Sequence, residues 1–168
     1  LATDGQHTGV APLGTSFTAT QATQLAAICR EPIIASDADN AGRAATEHDY
    51  WLLATLGGSP RTACLPETTD PASLLACGDR GLLTKALLCP KPTWMHVLDQ
   101  RLNQDPEDFV SALIVIASAP PDAWTVATKM ITDRVDVPEP LLRGALAPVV
   151  QAWNSSPNQM VATLALKR

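Results

Sequence analysis

Two carboxylates one residue apart, Asp37 and Asp39, stand between a short apolar run at residues 32–35 and the small-residue stretch Asn40-Ala41-Gly42-Arg43, which opens a helical pattern. Side chains alternate along an extended chain, so Asp37 and Asp39 point the same way wherever the strand conformation persists. Like charges at that spacing repel at neutral pH. A hard divalent cation, Mg²⁺ or Mn²⁺, offsets that repulsion, because it takes oxygen ligands and keeps waters to share with a phosphate-bearing substrate. The same residues also satisfy a plainer arrangement in which Asp37 ends a strand and Asp39 or Asn40 caps the next helix. The start of such a helix favours a phosphate through its free amides and dipole. Arg43 either reaches that phosphate or lies in solvent, and Gly42 lets the helix approach neighbouring backbone closely.

The elements that must position these residues follow from periodicity and punctuation. Residues 1–5 read as the tail and stop of a helix, and 9–13 as a short strand weakened by Pro12, which removes a ladder donor. Thr18 and Gln21 make a capping-box start for a helix to about Cys29, with Leu25 and Ile28 on its apolar face. The helix from Asn40 to about Leu56 packs through Trp51, Leu52 and Leu56 and stops at Gly57-Gly58. Residues 61–65 read as a strand, and Asp70-Pro71 has the form of an N-cap followed by proline in the first turn. Strand alternating with helix predicts an α/β fold, a parallel sheet with helices on its faces that binds ligands outside the carboxyl ends of its strands.

From about Lys91 strand signals weaken. Helices are expected over 93–102, over 107–119 after the Asp105-Pro106 cap, and over 123–135, 139–153 and 157–166, with Pro148 kinking or breaking the fourth. Phe109, Leu113, Ile114 and Ile116 point inward, although the β-branched run 113–116 also suits a buried strand. Trp94, Trp124 and Trp153 read as core anchors. The chain thus divides into an α/β core over 1–90 and a helical subdomain over 91–168.

The segment Asp37-Ala38-Asp39-Asn40-Ala41-Gly42-Arg43-Ala44-Ala45 resembles the Asp-x-Asp-x-Ala-Gly-x-x-Ala signature of Toprim domains, specifically those of bacterial DnaG-type primases. Leu13-Gly14-Thr15 upstream and Leu65-Pro66-Glu67-Thr68-Thr69-Asp70-Pro71 downstream resemble that family's Leu-Gly-Thr and Leu-Pro-x-x-x-Asp-Pro segments, in the family's order. The resemblance covers about residues 9–90 and, more loosely, the helical remainder. It implies a Toprim-like parallel sheet flanked by helices and followed by an all-helical subdomain. Asp37, Asp39 and Asp70 become catalytic metal ligands, Gly14 and Thr15 line the cleft, and Asn40, Gly42 and Arg43 meet phosphate or substrate. The implied activity is metal-dependent nucleotidyl transfer, primer synthesis on a DNA template by the intact protein, a primase or a related plasmid or phage replication or mobilisation protein. Its partners would be DNA, nucleoside triphosphates, other domains of a longer chain and a helicase.

The family's first motif, a Glu-Gly closing the first strand, has no counterpart, and Glu31 and Glu67 fall at the wrong places in the motif order to replace it. The chain is therefore expected to be a fragment that leaves this strand behind and is inactive alone. Two alternatives accompany the primase reading: strand cleavage of the Toprim nuclease or topoisomerase type, and a degenerate, non-catalytic module acting in protein interaction or assembly.

Composition bounds these readings. The 168 residues are 46% hydrophobic, enough for a buried core, and only 4% aromatic, which disfavours stacking platforms for single-stranded nucleic acid. The net charge of -5 opposes the basic footprint of a domain that grips a polyanion unaided, and residues 1–90 carry five Lys and Arg against nine Asp and Glu. Cys29, Cys64, Cys77 and Cys89 form no Cys-x-x-Cys pair and are expected as buried free thiols. No apolar run reaches the ~18 residues of a membrane span and no signal peptide opens the chain, so a cytoplasmic location is expected.

Overall fold

Ile33 and Ile34, β-branched and half-buried, form strand β3 of a computed structural model that describes residues 2–3, 8–12, 16–104, 109–155 and 157–166. Strand β4 (Arg61–Thr62) pairs with β3 in parallel, Ile33 opposite Arg61 and Ile34 opposite Thr62. This is the parallel pair expected from strand–helix alternation. A third strand, β5 (Lys91–Pro92), adds to β4 antiparallel, so the sheet is mixed, in the order β3-β4-β5. Pro92 lacks a donor and the strand has two residues, which is why no local pattern announces it. The amino-terminal end is also corrected: Ala2–Thr3 (β1) pairs antiparallel with Thr8–Gly9 (β2), where a helix tail was expected. The β-branched Thr3 and Thr8 are cross-strand partners, a chemistry that suits extended chain better than a helix end. The strand expected over 9–13 is confined to Gly9, consistent with the lost donor of Pro12, and Leu13 lies outside the described residues.

Helix α1 (Ala19–Ile28) starts on the expected capping box of Thr18 and Gln21. It buries only Ala22; Leu25 is half-buried and Ile28 is 84% exposed, because the helix is short and meets the rest of the molecule mainly along α2 (Asn40–Thr55). Gly57, at φ 75°, stops the chain beyond α2. Two short helices, α3 (Pro71–Ala76) and α4 (Arg80–Leu88), connect β4 to β5, and α4 was not foreseen as a separate element.

The carboxyl-terminal half is helical: α5 (Thr93–Gln104), α6 (Phe109–Ser118), a 3-10 turn (Pro121–Ala123), α7 (Trp124–Thr132), α8 (Glu139–Ser155) and α9 (Pro157–Ala165). The run 113–116 is helix, and α8 continues through Pro148 without a break. The expected Asp105-Pro106 cap lies outside the described residues, as does the Phe109 side chain. Trp94 and Trp124 are buried and Trp153 packs against the same cluster, as anchors should.

The core is continuous with α2. Tyr50, Trp51 and Ala54 of α2 join Leu98, Ile116, Ile131, Leu142 and Val161 in one buried cluster. The Tyr50 hydroxyl shares a hydrogen bond of 2.6 Å with Ser118 Oγ, and Arg101 pairs with Glu47, so α2 is bonded to both α6 and α5. Its amino-terminal end, by contrast, carries the residues singled out for chemistry.

The cysteines depart from expectation, since all four are free and exposed. Cys29, Cys77 and Cys89 are the C-cap residues of α1, α3 and α4, where short helices end at the surface, and position overrides the burial preference of the thiol.

Candidate functional site

Asp39 is the N-cap of α2, extended at φ -128° and ψ -176°, and its Oδ1 accepts from the Gly42 amide at 2.7 Å. Asp70 does the same for α3: Oδ1 accepts from the Ser73 amide at 2.8 Å, and the Asp70 amide donates back to Ser73 Oγ at 3.2 Å. The Ser73 amide is the main reason the Asp70 carboxyl is held below the ordinary carboxylate range. Both aspartates therefore cap helices through Oδ1.

The two capping loops lie side by side. Ala38 N donates to Thr69 O at 2.8 Å, and Thr68 N donates to Ala38 O at 3.1 Å. Each aspartate immediately follows a residue in this pairing, and each loop leaves the carboxyl end of one of the parallel strands β3 and β4. Thr68 has φ 60°, a left-handed conformation that a β-branched residue rarely adopts. Such strain tends to collect where a loop is over-determined for function.

Asp37 is exposed, and the backbone behind it is fixed by Gly42, which is buried in the first turn of α2. A Cβ at Gly42 would stand 2.0 Å from the Asp37 carbonyl oxygen and 2.8 Å from its carbonyl carbon. Only glycine permits that approach, as its place in the motif suggests. Asn40 Oδ1 accepts from Arg43 Nη2 at 2.5 Å, which holds the guanidinium along the start of α2. Gly14 and Thr15 lie outside the described residues. Among the described residues, no group of three or more His, Cys, Asp or Glu side chains is placed to hold a metal ion.

Two features near the site escape sequence reasoning. A groove of about 520 Å³ runs beside β3, lined by Pro32, Ile34, Ser36, Ala41 and His48 among others, and none of Asp37, Asp39 or Asp70 lines it. On the other flank His96 of α5 lies within the electrostatic reach of Arg43, Lys91 and Asp99. Nothing in the spacing of 43, 91 and 96 signals their proximity; only the fold creates it.

Burial, aided by the Arg43 and Lys91 charges against the opposing pull of Asp99, lowers the His96 pKa from its ordinary 6.5. The unfolded chain then binds a proton at a pH where the folded chain does not, so stability falls as pH drops through about 6.5 toward the lower folded value. Melting temperature should decline from about pH 7 to about pH 5, and less in His96→Gln. An equal decline in that variant would assign the effect to other groups.

Residues 1–75 match the family model described as Toprim-like. Among solved structures, the Aquifex aeolicus primase (zinc binding and RNA polymerase domains) aligns at TM-score 0.57 and 22% identity, over 79% of this chain and 33% of that one. A DNA primase domain from Pseudomonas aeruginosa aligns at TM-score 0.49 and 17% identity, over 79% of this chain and 46% of that one. The chain spans less than half the length of either structure. No curated protein gives a significant match. Residues 1–75 are thus similar to the Toprim-like family, and the chain has an α/β fold similar to that of the Aquifex primase structure.

Proposed function

We propose that this chain is the metal-dependent nucleotidyl-transfer module of a DNA primase-like protein, which in its intact form joins nucleotides into primers on a DNA template. The supporting observation is the bonded pair of loops: Ala38 tied to Thr68 and Thr69 brings the segments of Asp37, Asp39 and Asp70 alongside one another beyond two parallel strands. Ligands in open α/β sheets bind at that end.

The donor set fits a hard cation. Asp37 and Asp39 are exposed, and Asp39 and Asp70 bind their cap amides through Oδ1. With no three-ligand group among the described residues, such an ion would take one or two carboxylates and complete its shell with water and substrate phosphate, the habit of Mg²⁺. Asp37 and Asp39 are the proposed ligands, with Asp70 beside them; Mn²⁺ is the practical probe. When bound, divalent cations activate the attacking hydroxyl and stabilise charge on the triphosphate. The start of α2 supplies amide donors, and Arg43, steered by Asn40, meets a phosphate; Gly14 and Thr15 complete the cleft in this reading.

The net charge of -5 leaves the grip on DNA to other domains of a longer chain, with a helicase as a further proposed partner. A second reading, a non-catalytic Toprim-like module for protein interaction, is favoured by that charge and by the absence of a three-ligand group among the described residues. Template-dependent incorporation of nucleoside triphosphates by the intact protein separates the two. Activity should require Mg²⁺ or Mn²⁺ and fall to the metal-free level in Asp37→Asn with Asp39→Asn. Unchanged incorporation by that variant would defeat the assignment, and absence of activity in the intact wild type would favour the interaction module.

A further inference from the structure

A cavity beside the start of the loop that leaves the carboxyl end of β4 contains chemistry that primer synthesis does not use. Its volume is about 350 Å³, and it is lined by Cys64, Leu65, Leu82, Lys85 and Cys89. Both thiols are free and exposed. Their relation follows independently from the register of the antiparallel pair, in which Arg61 faces Pro92 and Thr62 faces Lys91. The pairing ends there: Cys64 lies two residues beyond β4, and Cys89, the C-cap of α4, two residues before β5, so both flank the same end of the pair. Arg61 holds this end of the pair in place, donating from Nη2 at 2.7 Å and from Nε at 3.3 Å to the Pro90 carbonyl. That shared end is why both thiols line one cavity.

We propose that Cys64 and Cys89 form a redox-active dithiol that is oxidised to an intramolecular disulfide by exchange with a low-molecular-weight disulfide. One cysteine, as thiolate, attacks a sulfur of the oxidant, forming a mixed disulfide and releasing one thiol. The second cysteine attacks the protein-side sulfur, closes the Cys64–Cys89 bond and releases the other thiol. Two cysteine thiols are oxidised and one disulfide is reduced to two thiols, with no further reactant. The bond encloses α3, α4 and the segment carrying Asp70, so the cross-link fixes the exit of β4 to the end of α4. Cys29 and Cys77 line no part of this cavity.

The test is cysteine mapping by mass spectrometry after the whole chain is equilibrated with oxidised glutathione and the remaining thiols are alkylated. The expected product has one internal Cys64–Cys89 cross-link, while Cys29 and Cys77 are recovered alkylated or as glutathione adducts. Cys64→Ser should eliminate the cross-link and leave Cys89 as a glutathione adduct; Cys29→Ser with Cys77→Ser should leave the cross-link intact. Circular dichroism of the reduced variants checks that they fold, and the wild-type map decides the matter by itself. Cys64 and Cys89 each ending as a separate glutathione adduct, or joined to Cys29, Cys77 or a second chain, would overturn the proposal.

Discussion

Trp51→Ala is expected to remove about 3–5 kcal/mol of stability, the usual cost of deleting a buried tryptophan and leaving its cavity. Trp51 is 1% exposed, meets Tyr50 edge-on with ring centroids 5.2 Å apart, and donates from Nε1 to Glu47 Oε1 at 3.3 Å. Glu47 in turn holds Arg101 of α5. The indole therefore fixes the carboxyl-terminal half of α2 into the helical core while the other end of the same helix carries Asp39. A domain of this size has roughly 5–15 kcal/mol in total, so the variant should lie close to its unfolding midpoint under mild conditions. Urea unfolding followed by circular dichroism measures the loss. A change below about 1 kcal/mol would mean that α2 is not fixed by this core.

Gly42→Ala should act at the other end of the helix. In an ordinary helix the exchange stabilises by up to about 1 kcal/mol, because glycine has more conformational freedom to lose. Here the new Cβ would stand 2.0 Å from a backbone oxygen of Asp37, and neither partner is the movable tip of a side chain. Overpacking of that kind typically costs about 1–3 kcal/mol, and relief requires the Asp37 loop to move away from α2. The expected result is a lower melting temperature together with weakened metal binding. Gly144→Ala is the control: it lies inside α8 with no atom within 4 Å of the added Cβ, so it should raise stability slightly. If the two variants melt alike, the close approach at Gly42 does not constrain the site.

What the chain discloses before folding is local. The Thr18 capping box, the capping aspartates at 39 and 70 and the glycine that stops α2 are written in neighbouring residues, and each forms where expected. What remained hidden is non-local. Strand β5 consists of Lys91 and Pro92, and only the edge of β4 makes it a strand. The hydrogen bonds linking Ala38 with Thr68 and Thr69, which align the two capping loops, join segments about thirty residues apart and have no sequence signature. The cysteines were misjudged because burial preference belongs to the residue type, whereas exposure was decided by where α1, α3 and α4 end. For the candidate site, the aspartates were legible as a motif, but their dual use as helix caps and as proposed ion ligands depends on the paired loops.

Asp37 and Asp39 are proposed to share a divalent cation. Titration of the chain with Mn²⁺, following the free-ion signal by electron paramagnetic resonance, tests it without any requirement for activity. Weak binding is expected for the wild type, dropping by at least about tenfold in Asp37→Asn with Asp39→Asn, since carboxylate charge sets the affinity for a hard cation. Identical Mn²⁺ binding by the wild type and that double variant would contradict it.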